Sequence, residues 1–281
     1  MTEIKRILND RGLGMRKQFG QNFLIHSGAR RTLLSALGVT AGMGVWEIGP
    51  GLGAMSAEFM EAGAVVTAFE IDRGFCALLR EIFAREIGEG ALTLVEGDAR
   101  KTLPAMLARP DIPRPEGVFG NLPYNIAASF IADTALGDRR FPRALFTVQK
   151  EVARRMDANP GEKDYSAFSV ICRWAYLMET AADFPPSFFW PQPEVDSRAV
   201  LLQARPDFPR CADPALFSRI VHRAFSSRRK TIKNNLAPLF GVETTRLLSE
   251  TGIDENRRAE TLGVEDFLRL SQSALSAIMT P

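Results

Sequence analysis

Three groups of residues in this chain have the types and spacing to do chemistry. The first is the glycine-dense turn Gly49-Pro50-Gly51-Leu52-Gly53-Ala54, which directly follows the apolar run Val45-Trp46-Glu47-Ile48. A strand that feeds such a turn and then a helix lets backbone approach a ligand closely, with helix-terminal N–H groups facing it. Gly49, Gly51 and Ala54 satisfy the G-x-G-x-x-G/A spacing, which alone does not choose between a dinucleotide and S-adenosylmethionine. The second group is a set of carboxylates at the ends of successive apolar runs. Glu70 lies 17 residues past Gly53, where a carboxylate can accept both ribose hydroxyl protons. Asp98, in Gly97-Asp98-Ala99, reaches the same sheet edge after the third run and can accept from an adenine exocyclic amine. Glu47 can help hold a methionyl ammonium, directly or through water. Any one of these reads equally well as a loop cap or a solvated carboxylate, but three at successive strand ends point to a site.

The third group is Phe119-Gly120-Asn121-Leu122-Pro123-Tyr124-Asn125, after the fourth apolar run. The exocyclic nitrogen of adenine or cytosine is a poor nucleophile because its lone pair is delocalised into the ring. An Asn side-chain oxygen and a neighbouring backbone carbonyl can accept its two N–H groups and localise that lone pair towards a methyl sulfonium. Pro123 fixes the turn, and Tyr124 supplies a face for an extruded base. The plain alternative is an ordinary Asn-Pro turn over a core tyrosine; the position at a strand end favours chemistry.

These residues need a sheet to hold them. From Val45 to about Ala204, short apolar runs alternate with longer amphipathic ones, the pattern of a parallel sheet with crossover helices. The pattern predicts strands near 43–48, 64–70, 91–96, 116–120, 143–149, 174–183 and 196–203. Helices are predicted near 28–37, 54–62, 73–86, 101–108, 125–136, 150–157 and 165–172. The order is that of a doubly wound α/β fold. Ala204-Arg205-Pro206-Asp207-Phe208-Pro209-Arg210 reads as a linker, placing a boundary between residues 1–206, with a basic segment at 1–22, and 207–281. Beyond it Asp213-Pro214 opens a helix as cap and first residue, and further helices are expected at 228–239, 243–250 and 264–278.

Charge adds a partner class. The net charge of the 281 residues is only +2, yet residues 1–31 carry seven basic and two acidic side chains, residues 205–235 carry eight and two, and the remainder sums to −9. Arg16 and Lys17 in the first segment, and Arg223, Arg228, Arg229, Lys230 and Lys233 in the second, can line a phosphate-binding face. A solvated helix face and a basic tail are the plain alternatives. No apolar run approaches the roughly 18 residues of a spanning helix, and the N-terminus lacks the apolar core of a signal peptide. Cys76, Cys172 and Cys211 are far apart and form no C-x-x-C pair, which argues against a disulfide framework or a zinc site and for a reduced compartment. His26 and His222 read as capping or surface residues, and no metal site suggests itself.

At this point the chain resembles the bacterial small-subunit ribosomal RNA adenine N6,N6-dimethyltransferases. The matching segments are Lys17 to Leu24, Glu47 to Gly51, Asn121 to Asn125, Gln149-Lys150-Glu151-Val152, Pro191 to Ser197 and Phe225 to Thr231, in the expected order over about residues 16 to 270. The resemblance implies a Rossmann-like methyltransferase domain with a small all-helical C-terminal domain. It implies transfer of methyl groups from S-adenosylmethionine to two adjacent adenosines in the 3′-terminal hairpin of 16S rRNA. By position, Asn22, Leu24, Glu47, Gly49, Gly51, Glu70, Asp98 and Asn121 would contact the cofactor. Asn121, Leu122, Pro123 and Tyr124 would form the acceptor site, with Phe189 stacking on the base opposite Tyr124. The expected partner is the small ribosomal subunit, met by a cytoplasmic monomer with no membrane partner. Three other readings stand beside this one: a large-subunit rRNA methyltransferase of the macrolide-resistance type, a non-catalytic RNA-binding assembly or transcription factor on the same fold, and, as an outsider, an NAD oxidoreductase.

Overall fold

The computed structural model describes residues 22–124, 126–137, 140–206 and 211–279. In chain order its elements begin with β1 (Phe23–Leu24), α1 (Ser27–Leu37), β2 (Gly44–Ile48), α2 (Ala54–Glu61), β3 (Val65–Glu70), α3 (Arg73–Ile82) and α4 (Ala84–Gly88). Then come β4 (Leu92–Glu96), α5 (Ala99–Leu107), β5 (Gly117–Asn121), α6 (Ala127–Leu136), β6 (Arg143–Gln149), α7 (Lys150–Asp157) and α8 (Ala167–Ala175). The chain continues through β7 (Tyr176–Phe184), β8 (Phe189–Trp190), β9 (Ser197–Ala204), α9 (Pro214–Ala224), α10 (Ile232–Phe240), α11 (Glu243–Glu250) and α12 (Val264–Met279).

Seven strands form one sheet in the order β4-β3-β2-β5-β6-β9-β7. The five from β4 to β6 pair in parallel, as the alternating pattern predicts, whereas β9 runs antiparallel to β6. A wholly parallel sheet is thus corrected at its far side. Between Phe184 and Ser197 lie only a short 3-10 turn and β8, without the crossover helix that usually returns a strand in parallel; periodicity reports burial, not strand direction. A separate two-stranded pairing sets Phe23 against Trp190 and Leu24 against Phe189.

Both faces of the central strands are covered, which explains their unbroken apolar runs. Val45 and Phe119 join Leu33 and Leu37 of α1 and Met55 and Phe59 of α2 in one core cluster. The next residue along, Trp46, points the other way and meets Phe69 and Phe141. β2 has β3 on one side and β5 on the other, so the strand order reverses at its carboxyl end. A crevice opens at such a switch point.

The chain divides into two compact units. One gathers residues up to Phe130 with 141–153 and 178–203, the other 131–140, 154–177 and 204 onward. These units interleave along the chain, whereas the proline-rich linker suggests a single boundary at residue 206; nothing in the composition of 131–140 or 154–177 sets those segments apart. Within the second unit the rings of Trp174 and Phe217 lie 4.9 Å apart, and Phe225 packs against both Tyr165 and Phe267. Tyr165 donates its hydroxyl to the Leu262 carbonyl at 2.8 Å. Helix α10 starts at Ile232, capped by Thr231, not at 228 as the pattern predicts; Arg228 to Lys230 therefore form the turn before it.

Candidate active site

The carboxyl ends of β2, β3 and β5 open on a cavity of about 520 Å³, within the range that holds cofactor-sized ligands. Its floor is the glycine turn. Gly49, Gly51 and Gly53 all adopt positive φ, at 70°, 56° and 77°, a region that side chains with a Cβ avoid. At Gly51 a Cβ would also stand 2.8 Å from the ring of Phe23, so glycine is required there twice over.

Glu70 ends β3 and is 3% exposed. Its Oε2 accepts from the Gly51 N–H at 3.1 Å and its Oε1 from the Asp72 N–H at 2.8 Å. The carboxylate thus braces the glycine turn, and each oxygen keeps a further lone pair for a ligand. Burial pushes the Glu70 carboxyl up, against the pull of those N–H groups. Glu47, in β2, is 2% exposed and accepts from the Ser56 hydroxyl at 2.5 Å. Burial raises it to about 7; the Ser56 hydrogen bond opposes the rise and the Glu70 charge adds to it. Asp98 caps α5 through the Arg100 N–H and forms a two-oxygen ion pair with the Arg100 guanidinium. That pairing holds Asp98 below the usual carboxylate range.

Asn121 ends β5. Its Nδ2 donates to the Asn22 carbonyl at 2.6 Å, which leaves Oδ1 as the atom that can accept. Tyr124 is half-buried, and its hydroxyl shares a hydrogen with Ser197 Oγ at 2.8 Å; burial raises its pKa. The ring is anchored at its polar end. Every residue expected to touch cofactor lines this cavity: Asn22, Leu24, Glu47, Gly49, Gly51, Glu70, Asp98 and Asn121. Leu122, Pro123 and Tyr124 line it too.

Phe189 does not. It is 3% exposed and belongs to the apolar core cluster with Leu24, so the structure sets this ring in the core and not on the cavity, where stacking on a base was expected. Successive residues of β8 point to opposite sides, and Phe189 takes the inward one. Its neighbours are also engaged, Phe188 stacked on His26 at 3.8 Å and Trp190 on Phe23 at 6.3 Å. His26 caps α1, accepting from the Ala29 N–H.

Several lining residues escape sequence reasoning. Phe23 sits inside a matched segment, but only the close approach to Gly51 marks it. Ile71 follows Glu70 and is 44% exposed, giving the cavity an apolar wall that nothing in the sequence separates from core. Arg30 lines the cavity while pairing with Glu58 and the Ile25 carbonyl. Ser56, which holds Glu47 without lining the cavity, looks like any small helical residue until its partner is seen.

The basic residues of the helical unit fall into two sets. Arg228 donates to the Tyr165 carbonyl at 2.6 Å and Lys233 pairs with Glu255 at 2.9 Å. Arg229 and Lys230 are exposed, with no side-chain hydrogen bond or ion pair among the described residues. Arg223 is half-buried, with its Nε unpartnered. Asn235, 2% exposed, donates to the carbonyls of Ala224 and Ser227 and so clamps the turn that carries Arg229 and Lys230. Arg16 and Lys17 lie outside the described residues, as does Asn125. Among the described residues no cluster of three His, Cys, Asp or Glu side chains can hold a metal.

Comparison with known proteins adds a family. The sequence model for ribosomal RNA adenine dimethylase matches residues 12–275. A ribosomal RNA small subunit methyltransferase A from Treponema denticola is 46% identical over 96% of this chain and 93% of its own length. One of the same name from Magnetococcus marinus is 38% identical over 97% and 96%. Among solved structures, a dimethyladenosine transferase from Plasmodium falciparum is similar in fold, with a TM-score of 0.71 at 22% identity, over 90% of this chain and 98% of that one. A 23S rRNA methyltransferase follows with a TM-score of 0.62 at 24% identity, over 89% and 98%.

Proposed function

The chain belongs to the ribosomal RNA adenine dimethylase family, and on that premise we propose that it transfers methyl groups from S-adenosylmethionine to N6 of two adjacent adenosines in the 3′-terminal hairpin of 16S rRNA. The observation that carries this reading is that Asn121 to Tyr124 open on the same cavity as Glu47, Glu70 and Asp98. The residues fit the cofactor. Glu70 offers lone pairs to ribose hydroxyls, Ile71 an apolar face to a purine, and Glu47 a carboxylate to an ammonium. Asp98 can accept from the adenine amine on whatever capacity its Arg100 pairing leaves.

When bound, S-adenosylmethionine supplies a methyl group on a cationic sulfur. Asn121 Oδ1 accepts one N–H of the acceptor amine, and a backbone carbonyl of the same turn accepts the other. With the cofactor bound, the nitrogen lone pair would be directed at the donated methyl group, and positioning with fixed dipoles would do most of the work. Tyr124, tethered by Ser197, presents its ring to the extruded base. No general base acts before attack, because the nitrogen releases a proton to water once it has become cationic. A second transfer requires the singly methylated nitrogen to rotate and be held again at Asn121. In the helical unit Arg229 and Lys230, free of ion pairs among the described residues, bind phosphates without reading bases. We place the protein in the cytoplasm as a monomer; among the described residues no helix is long and apolar enough to cross a membrane.

The test is tritium-methyl transfer to undermethylated small subunits and to free 16S rRNA, with the products mapped by primer extension. Stops at two adjacent adenosines near the 3′ end are expected. Stops in large-subunit rRNA would refute the assignment, and RNA binding with no transfer would favour an assembly factor.

A further inference from the structure

Glu47 is a carboxylate on a ligand cavity with no cationic partner among the described residues. Its neighbours in register are Ala68 on β3 and Phe119 on β5, neither ionisable. From α2 the Ser56 hydroxyl donates to it. The charge that acts on it is negative, from Glu70, which itself lies beside the charge of Asp72. The cations that line the same cavity are committed elsewhere, Arg30 to Glu58 and Arg100 to Asp98. A buried carboxyl so placed resists ionisation, and an arriving ammonium reverses the balance.

We infer that Glu47, held by Ser56, is the proton-exchanging group of the cavity: the ammonium of the cofactor's amino-acid arm expels its proton to solvent, and Ser56 is the positioning residue that sets the pH at which this happens. The inference rests on the cofactor reading above. Before binding, the carboxyl carries a proton in a good fraction of molecules near neutral pH, consistent with its value of about 7. On binding, its O–H bond breaks, the proton leaves to buffer, and the carboxylate keeps the Ser56 donor while it pairs with the ammonium. Affinity for a ligand with that arm then rises with pH through neutrality and levels off, and a ligand without it shows neither effect.

Calorimetry in buffers of different ionisation enthalpy reads this directly on the full chain. S-adenosylhomocysteine should release close to one proton at pH 6 and little at pH 8. By single-site linkage its affinity should rise about fivefold from pH 6 to 7 and less than about twofold from pH 7 to 8. Methylthioadenosine, which lacks the amino-acid arm, should release none. Glu47→Gln should abolish the release, Ser56→Ala should move the midpoint upward, and Ser56→Thr should restore it. S-adenosylhomocysteine that binds at pH 6 with no proton released would overturn the inference. Absence of binding at every pH would instead overturn the cofactor reading.

Discussion

Asn121 gives its side-chain N–H to the backbone carbonyl of Asn22 at 2.6 Å, joining positions 99 residues apart. The bond fixes which end of the amide faces an acceptor base, and it ties the segment that enters β1 to the end of β5. Asn121→Asp cannot make it, since a carboxylate only accepts. We expect that variant and Asn121→Ala to lose roughly 10²- to 10³-fold in transfer rate, the scale for removing one oriented hydrogen bond at a reacting centre. Single-turnover methylation would show it; an Asn121→Asp rate within a few-fold of the parent would remove the amide from the mechanism.

Tyr124 separates ring from hydroxyl. Tyr124→Phe keeps the face and leaves the Ser197 hydroxyl without its partner, a loss of about 1 kcal/mol in stability with transfer nearly unchanged. Tyr124→Ala removes the face and should abolish most transfer while S-adenosylhomocysteine still binds. Equal losses of cofactor affinity and transfer in the Ala variant would contradict a base-stacking role.

Glu70 braces two backbone N–H groups at once. In Glu70→Gln one of those donors must face an NH₂ group, so the turn loses a charge-assisted bond worth roughly 1.5–3 kcal/mol. Cofactor affinity is expected to fall by at least about tenfold, and the melting temperature with it. Unchanged affinity by titration calorimetry would show that the turn holds its shape without Glu70.

Much of this was legible in the chain. The ends of the strands in the seven-stranded sheet fall within about two residues of their predicted places because buried strands leave short apolar runs bounded by glycine and charge, as at Val65–Glu70; the two-residue strands β1 and β8 are too short to leave such a run. That Glu47, Glu70, Asp98 and Asn121 share one cavity was legible because each stands at or near a strand end, where topology dictates proximity; Asn22 and Leu24 came only from the resemblance. Strand direction at β9 was not, since an antiparallel buried strand has the same composition as a parallel one. Burial of Phe189 was hidden among three adjacent aromatics, any of which alternation can turn inward. The state of Glu47 depends on Ser56 arriving from another element, a contact no local pattern records.

The cationic residues of the helical unit should separate under mutation. Arg229→Ala with Lys230→Ala should lower the salt slope of RNA binding by roughly 1.4–1.8, at about 0.7–0.9 per phosphate contact, without lowering stability. Arg228→Ala should instead destabilise the unit, because the Tyr165 carbonyl loses its donor. An unchanged slope in the double variant would take that turn out of the RNA footprint.

Glu47 also makes stability depend on pH. Its carboxyl is raised from 4.5 to about 7 in the folded protein, so the unfolded chain ionises first. The stabilisation is complete below about pH 4.5 and is lost as pH rises through 7. Without cofactor, chemical denaturation at pH 5 and pH 8 should show this fall, and Glu47→Gln should flatten it. An identical pH dependence in the two proteins would mean that Glu47 is ionised throughout.

The pairing of β1 with β8, Phe23 against Trp190 and Leu24 against Phe189, has a consequence for the order of synthesis. The glycine turn and Glu70 leave the ribosome early, but the wall that Phe23 and Leu24 form has no partner strand until residue 190 has been made. At roughly 5–20 residues per second, a nascent chain waits several seconds or more between making its cofactor carboxylates and enclosing them. Cofactor binding is therefore a late, post-assembly property of the first unit, acquired only when its earliest and latest segments meet.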